Sequence, residues 1–314
     1  MALVTKSPID TRDHLYQATG KIINLPESVD LRVFDRDGVN NQGSTNTCTF
    51  NAATSAIEIT LSRAGQFRNL SRLFGYYVGK AKYGTETQDN GFYARDVMKT
   101  INEYGLCDED SWPFDPSKIG VKPPQSCYDE AKKLSGGEYC AIVTDNQNLQ
   151  CALAEGYPVI FAADIGDNWQ QVNGPTLEAT ADYIAANCMK RPARTSSHEM
   201  LLVGYRMYNG KLHYILENSW GGWGCNGFAL VPAEWVLGYG GEFWIMFNIP
   251  GVTLPTIWTP QLEGQKPTPI KPIRPTKPEV NPTNGKKHSM MCTLMRWTQT
   301  VFKKKVTCRC GAGK

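Results

Sequence analysis

The sequence predicts an α+β protein of two packed lobes, and three observations carry that expectation. The first 137 residues lean helical, residues 157–249 carry strand texture, and a proline-rich run after Pro250 ends the foldable part. The hydrophobic fraction of 41% and aromatic fraction of 11% supply an ample core for a globular body.

The helical elements come first. Phe50, Ala53, Ile57 and Leu61 recur at helical spacing between Cys48 and Ala64, and Gly65 stands where a helix stops. Residues 71–84, 94–105, 128–137 and 148–156 are further helix candidates, each closing at or near a glycine. YPVIFAADI (157–165) is a short apolar strand-like run. Residues 198–220 hold two strand patterns joined by Asn209-Gly210, a strong hairpin signal. GFALVPAEW and EFWIMFNI extend the strand texture to Ile249. A cleft between two such lobes is a natural place for a site.

Charge is divided unevenly. Residues 1–250 carry 21 Lys/Arg against 28 Asp/Glu, and residues 251–314 carry 12 against 2. Nine prolines between Pro250 and Pro282 predict an extended, semi-rigid linker over 251–287. The tail, 288–314, is basic and has an apolar series, Met291, Leu294, Met295, Thr298 and Phe302, followed by three lysines. Such a helix can lie on an anionic membrane or bind an acidic partner, and a solvated tail is the alternative. The N-terminal stretch lacks an apolar core of signal-peptide length, no run of 18 apolar residues occurs, and the compartment stays open. The ten cysteines contain no CxxC pair, which argues against a zinc ribbon; a few disulfides or none fit the spacing equally.

Chemistry concentrates in QGSTNTCTFNAA, where Cys48 stands at the change from a polar turn to a helix. A nucleophilic thiol needs a lowered pKa, from a helix N-terminus or an adjacent imidazolium. Of four histidines, His14 and His288 lie in polar segments, and His213 reads as a solvated strand position sharing a face with Lys211 and Glu217. His198 stands at the mouth of an apolar strand, where a side chain can face a cleft. Asn218 follows the return strand of the same hairpin, so it lies near His198 and can fix the imidazole tautomer; Trp220 and Trp223 can shield that bond. Gln42 and the Cys48 backbone N–H can serve a developing oxyanion.

These segments, with LPESVDLR, SSHEMLLVGY and ENSWGGWGCNGF, resemble the papain-like cysteine peptidases, in particular a bacterial-type branch with a Cys-Thr-x-Asn-Ala nucleophile segment. The resemblance covers roughly residues 25–250. It implies a papain-like fold with a helical left lobe (about 40–137) and an antiparallel, β-barrel-like right lobe (about 138–250), the cleft lying between them. It also implies Cys48 as nucleophile, His198 as general base and acid, Asn218 as orienter and Gln42 as oxyanion donor. Substrates would be peptides or proteins held strand-like along Gly91, with no cofactor or metal, by a monomer with no required nucleic acid. Glu199 stands where the family commonly has a small apolar residue lining the pocket for the second substrate residue, and Trp220 is a further candidate substrate-binding residue.

Several positions depart from the family pattern. Thr45 stands where the family has a cysteine, so its usual disulfide cannot form, and Thr49 replaces an aromatic. NSWGGWG is one residue shorter than the usual motif. The spacing of 150 residues from Cys48 to His198 and 170 to Asn218 is long, with 164–197 the expected site of the extra length. About 24 residues precede the lead-in segment, fewer than the family's pro-domain, so 1–24 is expected either to leave the enzyme active as made or to cover the cleft. The rival to an active endopeptidase is a papain-fold protein that binds peptides without cutting them. A transferase or amidase on the same fold is a third possibility.

Overall fold

The computed structural model describes residues 7–8, 10–17, 20–190, 196–255 and 258. The expected linker beyond 258 and the basic tail lie outside the described residues.

Two short strands, β1 (Leu15–Tyr16) and β2 (Val29–Asp30), precede the helices. Helix α1 (Cys48–Arg63) is buried along its whole length, so it turns no face to solvent and serves as the central rod of the molecule. It ends before Gly65 as its sequence predicts. Helix α2 (Arg72–Lys82) starts on Ser71, whose hydroxyl accepts the Phe74 N–H. Gly75 lets α2 close on α1: a Cβ there would sit 2.6 Å from the Phe50 ring. Helix α3 (Ala94–Tyr104) ends at Gly105, with φ of 71°. Helix α4 (Gln125–Ala131) begins three residues before the expected 128, because Pro124 fixes an extended φ/ψ that launches the helix there.

The second half adds β3 (Glu138–Ile142), α5 (Asn146–Glu155), β4 (Val159–Ile165), α6 (Leu177–Asn187), β5 (Ser196–Tyr208) and β6 (Lys211–Glu217). A kinked turn, α7 (Trp223–Asn226), then leads into β7 (Phe228–Pro232), α8 (Ala233–Tyr239) and β8 (Gly240–Phe247). The hairpin turns at Asn209 and Gly210, both with positive φ (49° and 71°), as its sequence signal requires. The strands form one eight-stranded sheet in the order β1-β3-β8-β4-β5-β6-β7, with β2 added to β5. Apart from the parallel β1–β3 pair its neighbours are antiparallel.

Three expectations are corrected here. The sheet is open, with β1 and β7 at its two ends, so the right lobe is not a barrel. AEW of GFALVPAEW begins a helix instead of extending the strand, because Pro232 ends the ladder and starts α8. His213 is buried, not solvated: β6 is an interior strand buried continuously from His213 to Glu217, and His213 Nδ1 pairs with the Lys211 carbonyl at 3.1 Å.

The described residues between 7 and 24 lie against the body. Tyr16 and Ile22 enter the core, and Asp13 pairs with Arg95 of α3 at 3.0 Å.

Candidate active site

The turn that carries Cys48 is organised by threonine and amide hydrogen bonds. Thr45 Oγ1 donates to the Gln42 carbonyl (2.7 Å) and lies 2.8 Å from Thr47 Oγ1. Asn51 Nδ2 donates to the Thr47 carbonyl and hydroxyl, both at 2.9 Å, which ties the first turn of α1 to the residue before Cys48. Asn46 N–H donates to both carboxylate oxygens of Asp89 (3.0 and 3.1 Å), and Asn46 Nδ2 to the Asp89 carbonyl (2.7 Å). Tyr76 OH donates to the same carboxylate at 2.8 Å. Asp89 therefore pins the Cys48 turn to the Gly91 loop, where φ is 79°.

The helical and sheet halves meet beneath this turn. Gln42 N–H donates to the Ser219 carbonyl (2.9 Å), and Ser219 Oγ donates to Gln42 Oε1 (2.6 Å). Gln42 Nε2 donates to the Thr45 carbonyl (2.7 Å), which leaves its second N–H for another acceptor.

On the sheet side His198 Nε2 lies 2.7 Å from Asn218 Oδ1. The Ser219 N–H donates to that same oxygen at 2.8 Å, which fixes the amide orientation. Oδ1 can only accept, so His198 carries its proton on Nε2 and Nδ1 is free to take one. The Trp220 ring stacks on the imidazole, 4.5 Å between centroids at 24°, and Trp223 meets Trp220 edge-on. This lid of indole removes water from the His198–Asn218 bond and strengthens it. Trp220 thus sits on the histidine.

Helix α1 packs on β5 and brings Cys48 to the His198–Glu199 step. Cys48 is 6% exposed and His198 1%. Burial pushes the Cys48 thiol up to about 12, with the Glu199 carboxylate adding to it, while the backbone N–H groups of Glu199, Thr49 and Cys48 favour the thiolate. Burial also brings His198 down to about 4, against the Asn218 bond. In the closed cleft burial therefore opposes the standing thiolate–imidazolium pair that the sequence leads one to expect.

Glu199 is buried completely, on the sheet face that also holds Ala162. In the segment expected to hold the extra length, the described residues form a 3-10 turn (Asp167–Gln171) and α6. The turn walls a cavity of about 440 Å³ beside Trp220, opposite Asn41 and Gly43. Asp89, Ala162 and Glu242 escaped the sequence reading. Only Asp89 left a trace there, in the turn-forming DNG.

Residues 25–235 match the papain family cysteine protease profile. An uncharacterized peptidase C1-like protein of Acanthamoeba polyphaga mimivirus is 31% identical over 243 residues, 73% of each chain. Mouse pro-cathepsin H is 25% identical over 228 residues, which are 70% of this chain and 63% of that protein. Among solved structures, xylellain, a cysteine protease from Xylella fastidiosa, aligns with a TM-score of 0.64 at 26% identity, covering 79% of this chain and 96% of that one. A family match across two thirds of the sequence and a relative above 30% identity agree: this chain belongs to the papain family of cysteine proteases.

Proposed function

We propose that the protein is a cysteine endopeptidase working through Cys48, His198, Asn218 and Gln42, with residues 25–250 as the catalytic unit. The observation that carries this reading is the 2.7 Å His198–Asn218 bond with its amide orientation fixed, which leaves Nδ1 as the base on the strand that meets Cys48. The Cys48 proton passes to His198 Nδ1 as sulfur attacks the substrate carbonyl. The resulting oxyanion takes the spare Gln42 N–H and the Cys48 backbone N–H. The imidazolium then gives its proton to the leaving amine, the C–N bond breaks, and a thioester remains. Water, deprotonated by the same nitrogen, hydrolyses the thioester and returns the thiol. An extended peptide would lie along Gly91 with main-chain hydrogen bonds.

One observation favours a second reading, a papain-fold peptide-binding protein with weak or no proteolysis. Cys48 and His198 are both almost wholly buried, and burial disfavours the charged form of each. A single experiment separates the two: peptide cleavage and epoxide-peptide labelling by wild type beside Cys48→Ala, at acidic and neutral pH. Cleavage and labelling confined to the wild type support the enzyme. Peptide binding with neither supports the binding protein.

A further inference from the structure

An acidic row starts beside Cys48, and no ion pair to it occurs among the described residues. Strand β4 lies between β5 and β8, and Ala162 on β4 is the direct partner of Glu199 on one side and Glu242 on the other. Directly opposed residues of neighbouring strands share a face, so the three side chains form one row. Ala162 packs against Cys48. With strands about 4.8 Å apart, the two glutamate backbones stand roughly 10 Å apart with a single methyl between them. Two carboxyl groups on flexible arms thus flank Ala162, itself only 4% exposed.

The two acids differ in how they are satisfied. Glu199 is 0% exposed, and neither of its carboxylate oxygens has a hydrogen-bond partner among the described residues. Glu58, by contrast, is buried yet accepts the Leu70 N–H at 2.7 Å. Glu242 is half-buried, and its Oε1 accepts from the Ser7 N–H (3.2 Å) and Ser7 hydroxyl (3.1 Å), its Oε2 from Trp244 Nε1 (3.1 Å). The Arg95 N–H in turn donates to Ser7 Oγ at 3.2 Å. A neutral serine covers one carboxylate, and the other is buried without a partner. A buried carboxyl group left without a partner costs free energy that a cation with several N–H donors would recover.

We propose that Glu199 and Glu242 form an acidic subsite for a basic substrate side chain, arginine before lysine, at the second residue on the acyl side of the cleaved bond. The inference rests on the peptidase reading for that position. The guanidinium fork has enough donors in one plane to reach both carboxylates, whereas an ammonium is a single point. The basic side chain displaces Ser7 from Glu242. An apolar side chain placed between them breaks the Ser7 bonds and leaves both acids unpaired, so selection works by exclusion as well as attraction.

The test has two arms. In the first, wild type, Glu199→Gln and Glu242→Gln are run on a peptide library varied at each position. Arginine is expected to lead at the second acyl-side position, with lysine next and leucine behind. The arginine-to-leucine ratio of kcat/KM should fall about 10- to 100-fold in either variant, the worth of hydrogen bonds to a charged group. Because Glu199 is deep in the sheet, the half-buried Glu242→Gln keeps the test open if Glu199→Gln does not fold.

In the second arm, calorimetry on Cys48→Ala compares an arginine peptide with its leucine counterpart and needs no turnover. Preference for large apolar residues, or a ratio unmoved in the folded variants, overturns the subsite while leaving the peptidase standing. Absence of cleavage and labelling in the wild type overturns the peptidase reading, and the binding ratio still decides the subsite.

Discussion

The two walls of the cleft are built on different forces. The helical wall holds Cys48 through short polar bonds: Thr45 to Gln42, Asn51 to Thr47, and Asn46 and Tyr76 to Asp89. The sheet wall holds His198 through the register of one hairpin, one hydrogen bond to Asn218 and the face of Trp220. On the helical wall the family cysteine at position 45 is a threonine, and next to it Asp89 makes the tie to the Gly91 loop by hydrogen bonds. Cys48 therefore rests on many replaceable bonds, while His198 rests on a rigid strand and a single polar contact.

The largest effects should come from the sheet wall. His198→Ala is expected to lower kcat by about 10²–10⁴-fold, the usual contribution of a positioned acid–base group, and to abolish epoxide labelling. Asn218→Ala removes one hydrogen bond to a ring that becomes charged during turnover, so a loss of about 10- to 100-fold in kcat is expected. That bond raises the His198 pKa against burial, so NMR titration should show the histidine moving further down in Asn218→Ala. An unchanged kcat and an unchanged titration would show that Trp220 alone orients the ring.

The helical wall should yield in a different way. Asp89→Ala leaves the Asn46 N–H and the Tyr76 hydroxyl without their acceptor, at about 1–3 kcal/mol for a buried donor. Both the Cys48 turn and the Gly91 loop are released, so KM should rise and kcat should fall, together about 10-fold or more in kcat/KM. Asn218→Ala, by contrast, should leave KM in place. Asp89→Asn keeps an acceptor oxygen and should restore part of the loss. Steady-state kinetics that show only a fall in kcat for Asp89→Ala would break the contrast between the walls.

What the sequence revealed about these walls follows from how local each signal is. The start of α1 at Cys48, its stop at Gly65 and the turn at Asn209-Gly210 are encoded within a few residues, and all three stand where expected. His198 and Asn218 meet because one hairpin joins them, so a local signal also found a contact in space. The open sheet, the burial of His213 and the row Glu199–Ala162–Glu242 depend on which strands become neighbours. Strand order is a long-range choice that no short window records. The AEW segment shows the limit from the other side: it carried strand texture, yet Pro232 made it a helix start.

The smallest expected effect lies in the seam that joins the walls, and it tests stability instead of rate. Glu58 of α1 and Glu217 of β6 are both buried, and burial brings each up to about 8 from an ordinary 4.5. Asp37 and Glu217 also raise Glu58, while the Leu70 N–H and Arg72 oppose. Asp35 raises Glu217, and Ser55 opposes. A raised carboxyl keeps its proton in the folded state after the unfolded chain has released it. Between about 4.5 and about 8 the folded protein therefore binds more protons, and stability falls as pH rises through that window. The slope is at most about 1.4 kcal/mol per pH unit for each such group. Glu58→Gln keeps an acceptor for the Leu70 N–H and has no proton to lose, so its Tm should fall less steeply than the wild type's between pH 5 and 8. Parallel Tm profiles for the two proteins would place the pH sensitivity elsewhere. A flatter profile with kcat preserved would show that the seam sets stability while the two walls, ten residues away along α1, set the chemistry.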